Sequence, residues 1–286
     1  MPPFQVSLAQ FAPALGAFER NLERHRAIAQ DAIAQGSQLV VFPELSLTGY
    51  FVKDLVADLA MASDDPRLDP LRELSHRIDL VAGFIERGAG DRLYIAAGYF
   101  SGGTLLQVHR KVYLPTYGMF EEARFLTAGS QLLAFDGPLG RTAMLICEDL
   151  WHPSTVGVVA ADGAELLIGI AASPARGFGG DRPDSARLYE QMSRVYAQLF
   201  GMHVLFVNRV GFEDGVGFWG GSEAIDPFGR ELAKAPYFDD ALVSVRLDPQ
   251  ETRRAHLVTP LGRDERLDVT IAGLERVRRR ALGVSG

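Results

Sequence analysis

The chain holds one cysteine, Cys147, and what that thiol can do depends on the residues that stand with it. It closes the apolar run Arg141-Thr-Ala-Met-Leu-Ile-Cys147 and precedes Glu148-Asp149-Leu150-Trp151-His152-Pro153, a strand-to-helix junction where a nucleophile would be presented. A solitary cysteine is ordinarily a small buried hydrophobe, so position alone does not make it reactive. Two further residues occupy the same kind of place: Glu44 follows Leu39 to Pro43, and Lys111 follows Leu105 to Arg110. A carboxylate or ammonium at a strand end is usually just solvated, but strand ends that share a rim would bring all three groups into one pocket. Thiol, carboxylate and ammonium are the groups needed for covalent attack on an amide.

The division of labour follows from acidity. A thiol with a reference pKa of about 8.5 is mostly protonated at neutral pH, and Glu148 and Asp149 would raise it further if they faced it. Glu44 can take the thiol proton and pass it to the leaving amine. Lys111 can offset the charge at the thiolate and donate to the oxyanion of a tetrahedral intermediate, with the Glu148 N–H as second donor.

Strands and helices alternate from the start, which predicts an α/β fold. Phe4 to Leu8 alternates as a half-buried strand, a helix is expected over Phe18 to Gln35 with Gly36 as its stop, and Leu39 to Phe42 reads as a central strand ended by Pro43. A loop from Ser63 to Pro70 leads to an expected helix over Leu71 to Arg77. Leu80 to Ile85, Leu93 to Tyr99 and Thr104 to Val108 read as an antiparallel meander, and Leu132 to Phe135 pairs with Thr142 to Ile146 across Gly137-Pro138-Leu139-Gly140. The alternation repeats with a strand at Glu165 to Ile170, a helix at Asp184 to Leu199 and strands at His203 to Asn208 and Ala241 to Leu247. Tight turns at Asp214-Gly215 and Asp226 to Gly229 separate shorter strands, and Glu265 to Leu282 is a basic amphipathic tail helix with Arg276, Arg279 and Arg280 on a solvated face. One domain over 1–286, with 264–286 as the tail, is the expected organisation.

Composition narrows the function classes. Of 286 residues 47% are hydrophobic and 23% charged, which suits a globular chain with a sizeable core. With 29 basic against 36 acidic residues the formal charge is -7, which argues against nucleic acid or anionic membrane as a partner. The first 18 residues have no ionisable side chain and no basic leader, so neither a signal peptide nor a membrane span is expected. One cysteine allows no intrachain disulfide, and a reducing, cytoplasmic setting is the expectation.

Three blocks then narrow the chemistry: Phe42-Pro43-Glu44-Leu45-Ser46-Leu47-Thr48-Gly49-Tyr50, His109 to Phe125, and Leu145-Ile146-Cys147-Glu148-Asp149-Leu150-Trp151. In this order they resemble the signature blocks of the nitrilase superfamily of carbon-nitrogen hydrolases, a likeness running from the first strand to about Leu247. The resemblance implies a four-layer α-β-β-α sandwich, association through helical faces into homodimers or larger assemblies, and a Glu-Lys-Cys triad without cofactor. It places the base on Glu44, the lysine on Lys111, the nucleophile on Cys147 and a supporting glutamate on Glu122, with Glu121 the alternative.

Within that superfamily, 111–125 and 147–153 look most like the glutaminase domain of glutamine-dependent NAD synthetase. By that likeness Tyr117 and Phe120 line the substrate pocket, Ser173 meets the polar end of the amide, and Glu148 and Trp151 border it. The segment Ala175 to Gly180 departs from that domain, so no glutamine-binding arginine is assigned, and no Ser-Gly-Gly-x-Asp-Ser loop of a synthetase half occurs. The expected activity is therefore hydrolysis of a small carboxamide. The alternatives are a glutaminase subunit supplying ammonia to a separate NAD synthetase, and a nitrilase or N-carbamoyl amide hydrolase.

Gly215-Val216-Gly217-Phe218-Trp219-Gly220 has dinucleotide-loop spacing but follows a turn and precedes a strand, so it reads as turn and pocket wall. The six histidines lack metal-ligand spacing, and no metal is expected. His152 is expected to cap the helix that begins near Pro153.

Overall fold

The computed structural model describes residues 1–177 and 180–283. Phe178 and Gly179, inside the Ala175 to Gly180 segment that departs from the glutaminase-domain pattern, and 284–286 of the expected tail lie outside the described residues.

In chain order the elements are β1 (Phe4–Gln10), α1 (Phe18–Ala34), β2 (Leu39–Val41), α2 (Val56–Leu59), α3 (Asp69–Leu74), β3 (Asp79–Arg87), β4 (Leu93–Ser101), β5 (Thr104–Arg110) and α4 (Glu122–Phe125). The second half contributes β6 (Ala134–Gly137), β7 (Gly140–Ile146), α5 (Pro153–Ala161), β8 (Leu166–Ala171), α6 (Asp184–Phe200), β9 (His203–Asn208), β10 (Val210–Glu213) and β11 (Val216–Trp219). It ends with β12 (Glu223–Ile225), β13 (Glu231–Lys234), β14 (Ala241–Leu247), α7 (Pro249–Val258), α8 (Leu261–Asp264) and α9 (Leu267–Ala281).

Two six-stranded mixed sheets result, in the orders β14-β1-β2-β3-β4-β5 and β13-β12-β9-β8-β7-β6. β2, buried along its whole length, lies parallel to both β1 and β3 at the centre of the first sheet, as its unbroken apolar run requires. The sheets pack face to face where β1 meets β9 and β4 meets β7. Helices α1 and α3 cover the outside of the first sheet, and α5 and α6 the outside of the second. This is the α-β-β-α sandwich expected from the sequence.

Several local expectations change. The helix placed over Leu71 to Arg77 is α3, two residues earlier and ending at Leu74, because Pro70 fits the first turn of a helix, where no amide hydrogen is needed. The strand placed at Leu132 starts at Ala134, whose N–H is taken by Asp162 instead of a loop partner. α7 adds a helix beyond the expected elements, started by Asp248, which caps the Gln250 N–H, and by Pro249 in its first turn. The tail helix α9 has no buried residue: Leu267, Ile271, Leu274 and Val277 are as exposed to solvent as its arginines. Among the described residues no helix is long and apolar enough to cross a membrane.

Candidate active site

Each polar end of the three apolar runs is set by a specific backbone device. After β2 the chain crosses Pro43 and takes a left-handed turn at Leu45, with φ +49°. That turn lies directly on β3 at Gly83, where a Cβ would come within 2.3 Å of the Leu45 amide nitrogen and 2.6 Å of the Pro43 carbonyl. Only glycine fits there, and it lets Glu44 drop into the gap between the sheets. After β7 a second left-handed residue, Cys147 with φ +48°, starts a single 3-10 turn through Trp151. A non-glycine residue held in that region is strained, which is common where a side chain must be aimed.

Asp149 ties the pieces together. Fully buried, its Oδ1 accepts N–H bonds from Val112 and Tyr113 at 3.0 Å, and its Oδ2 accepts from the Ile146 N–H at 3.1 Å and lies 2.9 Å from His109 Nε2. One side chain thus joins the elbow carrying Cys147 to the segment on both sides of Lys111. The expectation that Glu148 and Asp149 would burden the thiol is overturned: Asp149 turns back under the elbow, and Glu148 accepts from the Tyr117 hydroxyl at 2.8 Å. The negative charge that raises the thiol comes from Glu44, and to a lesser extent Glu122.

At the centre lies Lys111, fully buried. Its Nζ donates to Glu44 Oε1 at 2.8 Å and to Glu122 Oε1 at 2.7 Å, leaving one N–H of three without an assigned acceptor. Burial alone would depress this ammonium, but Glu122, Glu44 and Cys147 hold its pKa well above the ordinary lysine value. Glu44 is fixed at its second oxygen by the Ala172 N–H, 2.7 Å away at the end of β8. Burial raises Glu122 from 4.5 to about 7, with Lys111 opposing and Glu44 adding to the rise. Glu122 Oε1 also accepts from the Tyr50 hydroxyl at 2.5 Å, whereas its buried Oε2 has no hydrogen-bond partner. Glu121, the alternative, is exposed and faces Arg124 at 3.8 Å.

Cys147 Sγ lies 3.4 Å from the Tyr189 hydroxyl of α6. Burial and then Glu44 push the thiol well above its ordinary pKa, against the pull of Lys111 and Tyr189, so at rest it is protonated.

The residues expected to bind substrate fall into two groups. Tyr117, half exposed, and buried Phe120 meet edge to face at 5.6 Å, and the Arg176 guanidinium carbon lies 5.8 Å and 5.1 Å from their ring centres. Burial and Glu148 raise the Tyr117 phenol to about 12, with Arg176 opposing. Trp151 packs on Tyr189 at 5.8 Å, beside the thiol. Ser173 is buried, but its N–H bonds Asn208 and its hydroxyl accepts from Trp219 Nε1 at 3.1 Å, so much of its polarity serves the framework. His152 does not cap α5 with its side chain; the ring stacks on Tyr113 at 3.5 Å. A cavity of about 250 Å³ reaches Glu122 and is walled by Leu45, Tyr50, Phe125 and Val216, which gives the β10–β11 hairpin a place in its wall.

Sequence reasoning missed Tyr50, Tyr189, Gly83 and the role of Asp149. Gly83 alone left a local signal, a glycine inside a strand, which marks close approach of another backbone. Tyr189 lies on the buried face of α6 with Ala186, Ser193 and Ala197, a periodicity that announces packing but not a thiol.

Comparison with known proteins gives a consistent picture. The carbon-nitrogen hydrolase family model matches residues 5–256. The glutamine-dependent NAD(+) synthetase of Thermotoga maritima is 31% identical over 268 residues, covering 92% of this chain but only 45% of that protein, so the chain spans about half the length of this relative. The chloroplastic omega-amidase of Arabidopsis thaliana is 28% identical over 88% of this chain and 69% of its own. The crystal structure of a carbon-nitrogen hydrolase from Helicobacter pylori G27 superposes with a TM-score of 0.85 at 23% identity, over 93% of this chain and 96% of the other. The chain belongs to the carbon-nitrogen hydrolase family.

Proposed function

We propose that the chain is a cysteine-dependent amidase that cleaves a small carboxamide through a thioester on Cys147. The observation that carries this reading is a fully buried ammonium, Lys111, shared between two carboxylates beside the only thiol of the chain. Glu44 takes the thiol proton as Sγ bonds to the amide carbon and the carbonyl electron pair moves to oxygen. The remaining Lys111 N–H and the Glu148 N–H receive that oxyanion. Collapse breaks the C–N bond while Glu44 returns the proton to nitrogen, and ammonia leaves. Water, deprotonated by Glu44, then attacks the thioester; the C–S bond breaks, the sulfur takes the proton back, and the acid departs. Glu122 holds Lys111 and offers its unpartnered Oε2 to the substrate N–H.

Ammonia release from simple carboxamides, glutamine, N-carbamoyl amino acids and nitriles tests this reading. Cys147→Ala is expected to abolish turnover of every amide; activity retained in that variant overturns it.

The mouth of the site favours an amide that also bears a carboxylate. Among the described residues Arg176 has no acidic partner, and it stands over the Tyr117–Phe120 wall that also carries Glu148. An amino-acid amide such as glutamine would place its carboxylate on Arg176 and its ammonium on Glu148. Arg176→Gln should then raise KM for glutamine about tenfold or more and leave a neutral aliphatic amide unchanged; equal effects on both remove the assignment. The half-length match to glutamine-dependent NAD(+) synthetases supports a variant of this reading in which the ammonia passes to a separate ammonia-dependent NAD synthetase. Stimulation of glutaminase turnover by such a partner is its test.

A further inference from the structure

The β10–β11 hairpin supplies no reacting group, yet it ends a buried ion pair. Arg209, which follows β9, is 1% exposed at its side chain and Glu213, at the end of β10, 3%. The guanidinium donates to Glu213 Oε2 and to the Pro13 carbonyl, and lies 4.2 Å over the Phe218 ring. Stability is a weak reason for such a pair, since two apolar side chains of similar volume usually serve as well. What apolar side chains cannot do is accept hydrogen bonds. Glu213 Oε1 accepts two consecutive amides, Tyr50 N–H at 2.7 Å and Phe51 N–H at 2.5 Å. Gly49 makes the approach possible: its φ is +79°, and a Cβ there would lie 2.8 Å from Leu15 Cα and 3.0 Å from Glu213 Oε2. The segment clamped in this way carries the hydroxyl that reaches Glu122.

We infer that Glu213, held by Arg209, is a positioning residue for Glu122: by fixing the Tyr50 and Phe51 amides it sets the Tyr50 hydroxyl that donates to Glu122 Oε1. Its consequence for turnover rests on the amidase reading above, whereas the structural link does not. Glu122 faces Lys111 from the end of β5, Glu44 from the turn after β2, Tyr50, and the Cys147 thiol, and of these only Tyr50 is touched by Glu213. The sign of the effect separates positioning from plain charge. Losing the Tyr50 donor disfavours the ionised carboxylate and raises the Glu122 midpoint, whereas uncovering the Arg209 charge would lower it.

The test is carboxyl titration by carbon NMR on the full chain with [δ-13C]glutamate, the Glu122 signal being identified by its loss in Glu122→Gln. Tyr50→Phe and Glu213→Gln are each expected to move the midpoint upward, and Tyr50→Phe with Glu213→Gln no further than Tyr50→Phe alone. Both single variants should lower kcat/KM for the cleaved amide about tenfold or more. A midpoint in Glu213→Gln that stays in place or falls, or a double variant whose shift equals the two singles combined, overturns the inference. Should Glu213→Gln not fold, Arg209→Met with Glu213→Leu removes both charges together with the acceptor, and the same outcomes apply. If the wild-type chain cleaves no amide, the amidase reading fails while the titration still decides the link.

Discussion

Glu122→Gln should make the protein more stable at pH 8 and no more stable at pH 5. Glu122 binds its proton more tightly in the folded chain, at about 7 instead of 4.5, because burial disfavours the carboxylate. A raised folded-state pKa gives stability that is fully present below the unfolded value and lost as pH rises through the folded one. Between about pH 4.5 and pH 7 the wild type therefore surrenders ~2.5 decades of proton affinity at ~1.4 kcal/mol each, or ~3.5 kcal/mol. Glutamine is a permanent stand-in for the protonated acid: its carbonyl can still accept from Lys111 Nζ and the Tyr50 hydroxyl, and it carries no charge to bury. Urea unfolding of both proteins at half-unit steps from pH 5 to pH 8 isolates the effect, since groups that do not face Glu122 cancel in the difference and Lys111, Tyr50 and Cys147, which do, titrate above this window. The gap should be near zero at pH 5 and reach ~2–3 kcal/mol in favour of the variant by pH 8. A gap that stays constant with pH, or a wild type that is the more stable protein at pH 8, refutes the argument that this carboxylate is held ionised at a cost.

Two further substitutions test the scaffold. Gly83→Ala pushes a methyl into the Leu45 amide and the Pro43 carbonyl, which are backbone atoms that cannot rotate away; the expected result is a loss of ~1–3 kcal/mol or more in urea unfolding and a fall in kcat/KM of about a hundredfold as Glu44 moves, and an unchanged kcat/KM counts against the role given to that turn. Asp149→Asn puts an NH2 group where the carboxylate now accepts on all sides, so at least one of the Ile146, Val112 and Tyr113 amides or the His109 ring loses its acceptor; unfolding should come ~3 kcal/mol earlier, and a variant within ~0.5 kcal/mol of wild type would show that the three segments are held by something else.

The residues proposed for the chemistry were legible because each stands at a discontinuity in a one-dimensional pattern. Glu44, Lys111 and Cys147 are polar or reactive residues that end apolar runs, and such a break is visible without any partner. Their support is not visible in that way. Asp149 reads from sequence as a charge beside the thiol, because adjacency along the chain suggests adjacency in space; a left-handed residue at Cys147 and the 3-10 turn after it rotate Asp149 beneath the elbow instead. Tyr50 and Glu122 are 72 residues apart, and Glu213 lies 163 beyond Tyr50. No local periodicity encodes a hydrogen bond over such a separation. α4, a four-residue helix, begins at the residue whose side chain reaches Lys111, a contact about which chain-local propensity says little.

The arrangement also sets how many protons the resting site holds, and that number fits a base-assisted thiol. Glu44, Glu122, Lys111 and Cys147 are all buried, so each charge among them needs a neighbour. Lys111 stays protonated because two carboxylates face it, and the thiol keeps its proton because burial and Glu44 outweigh Lys111. Burial lifts the proton affinity of Glu122 to about neutrality, with Lys111 opposing the rise and Glu44 adding to it. Glu44 accepts from Lys111 at one oxygen and from the Ala172 amide at the other, and in the mechanism proposed above it is the carboxylate that receives the thiol proton. Moving that proton from sulfur to Glu44 does not change the net charge of the buried cluster; it transfers the negative charge to a sulfur that Lys111 attracts. The cost of making the nucleophile is thus kept within the pocket, where substrate binding, and not solvent, can offset it.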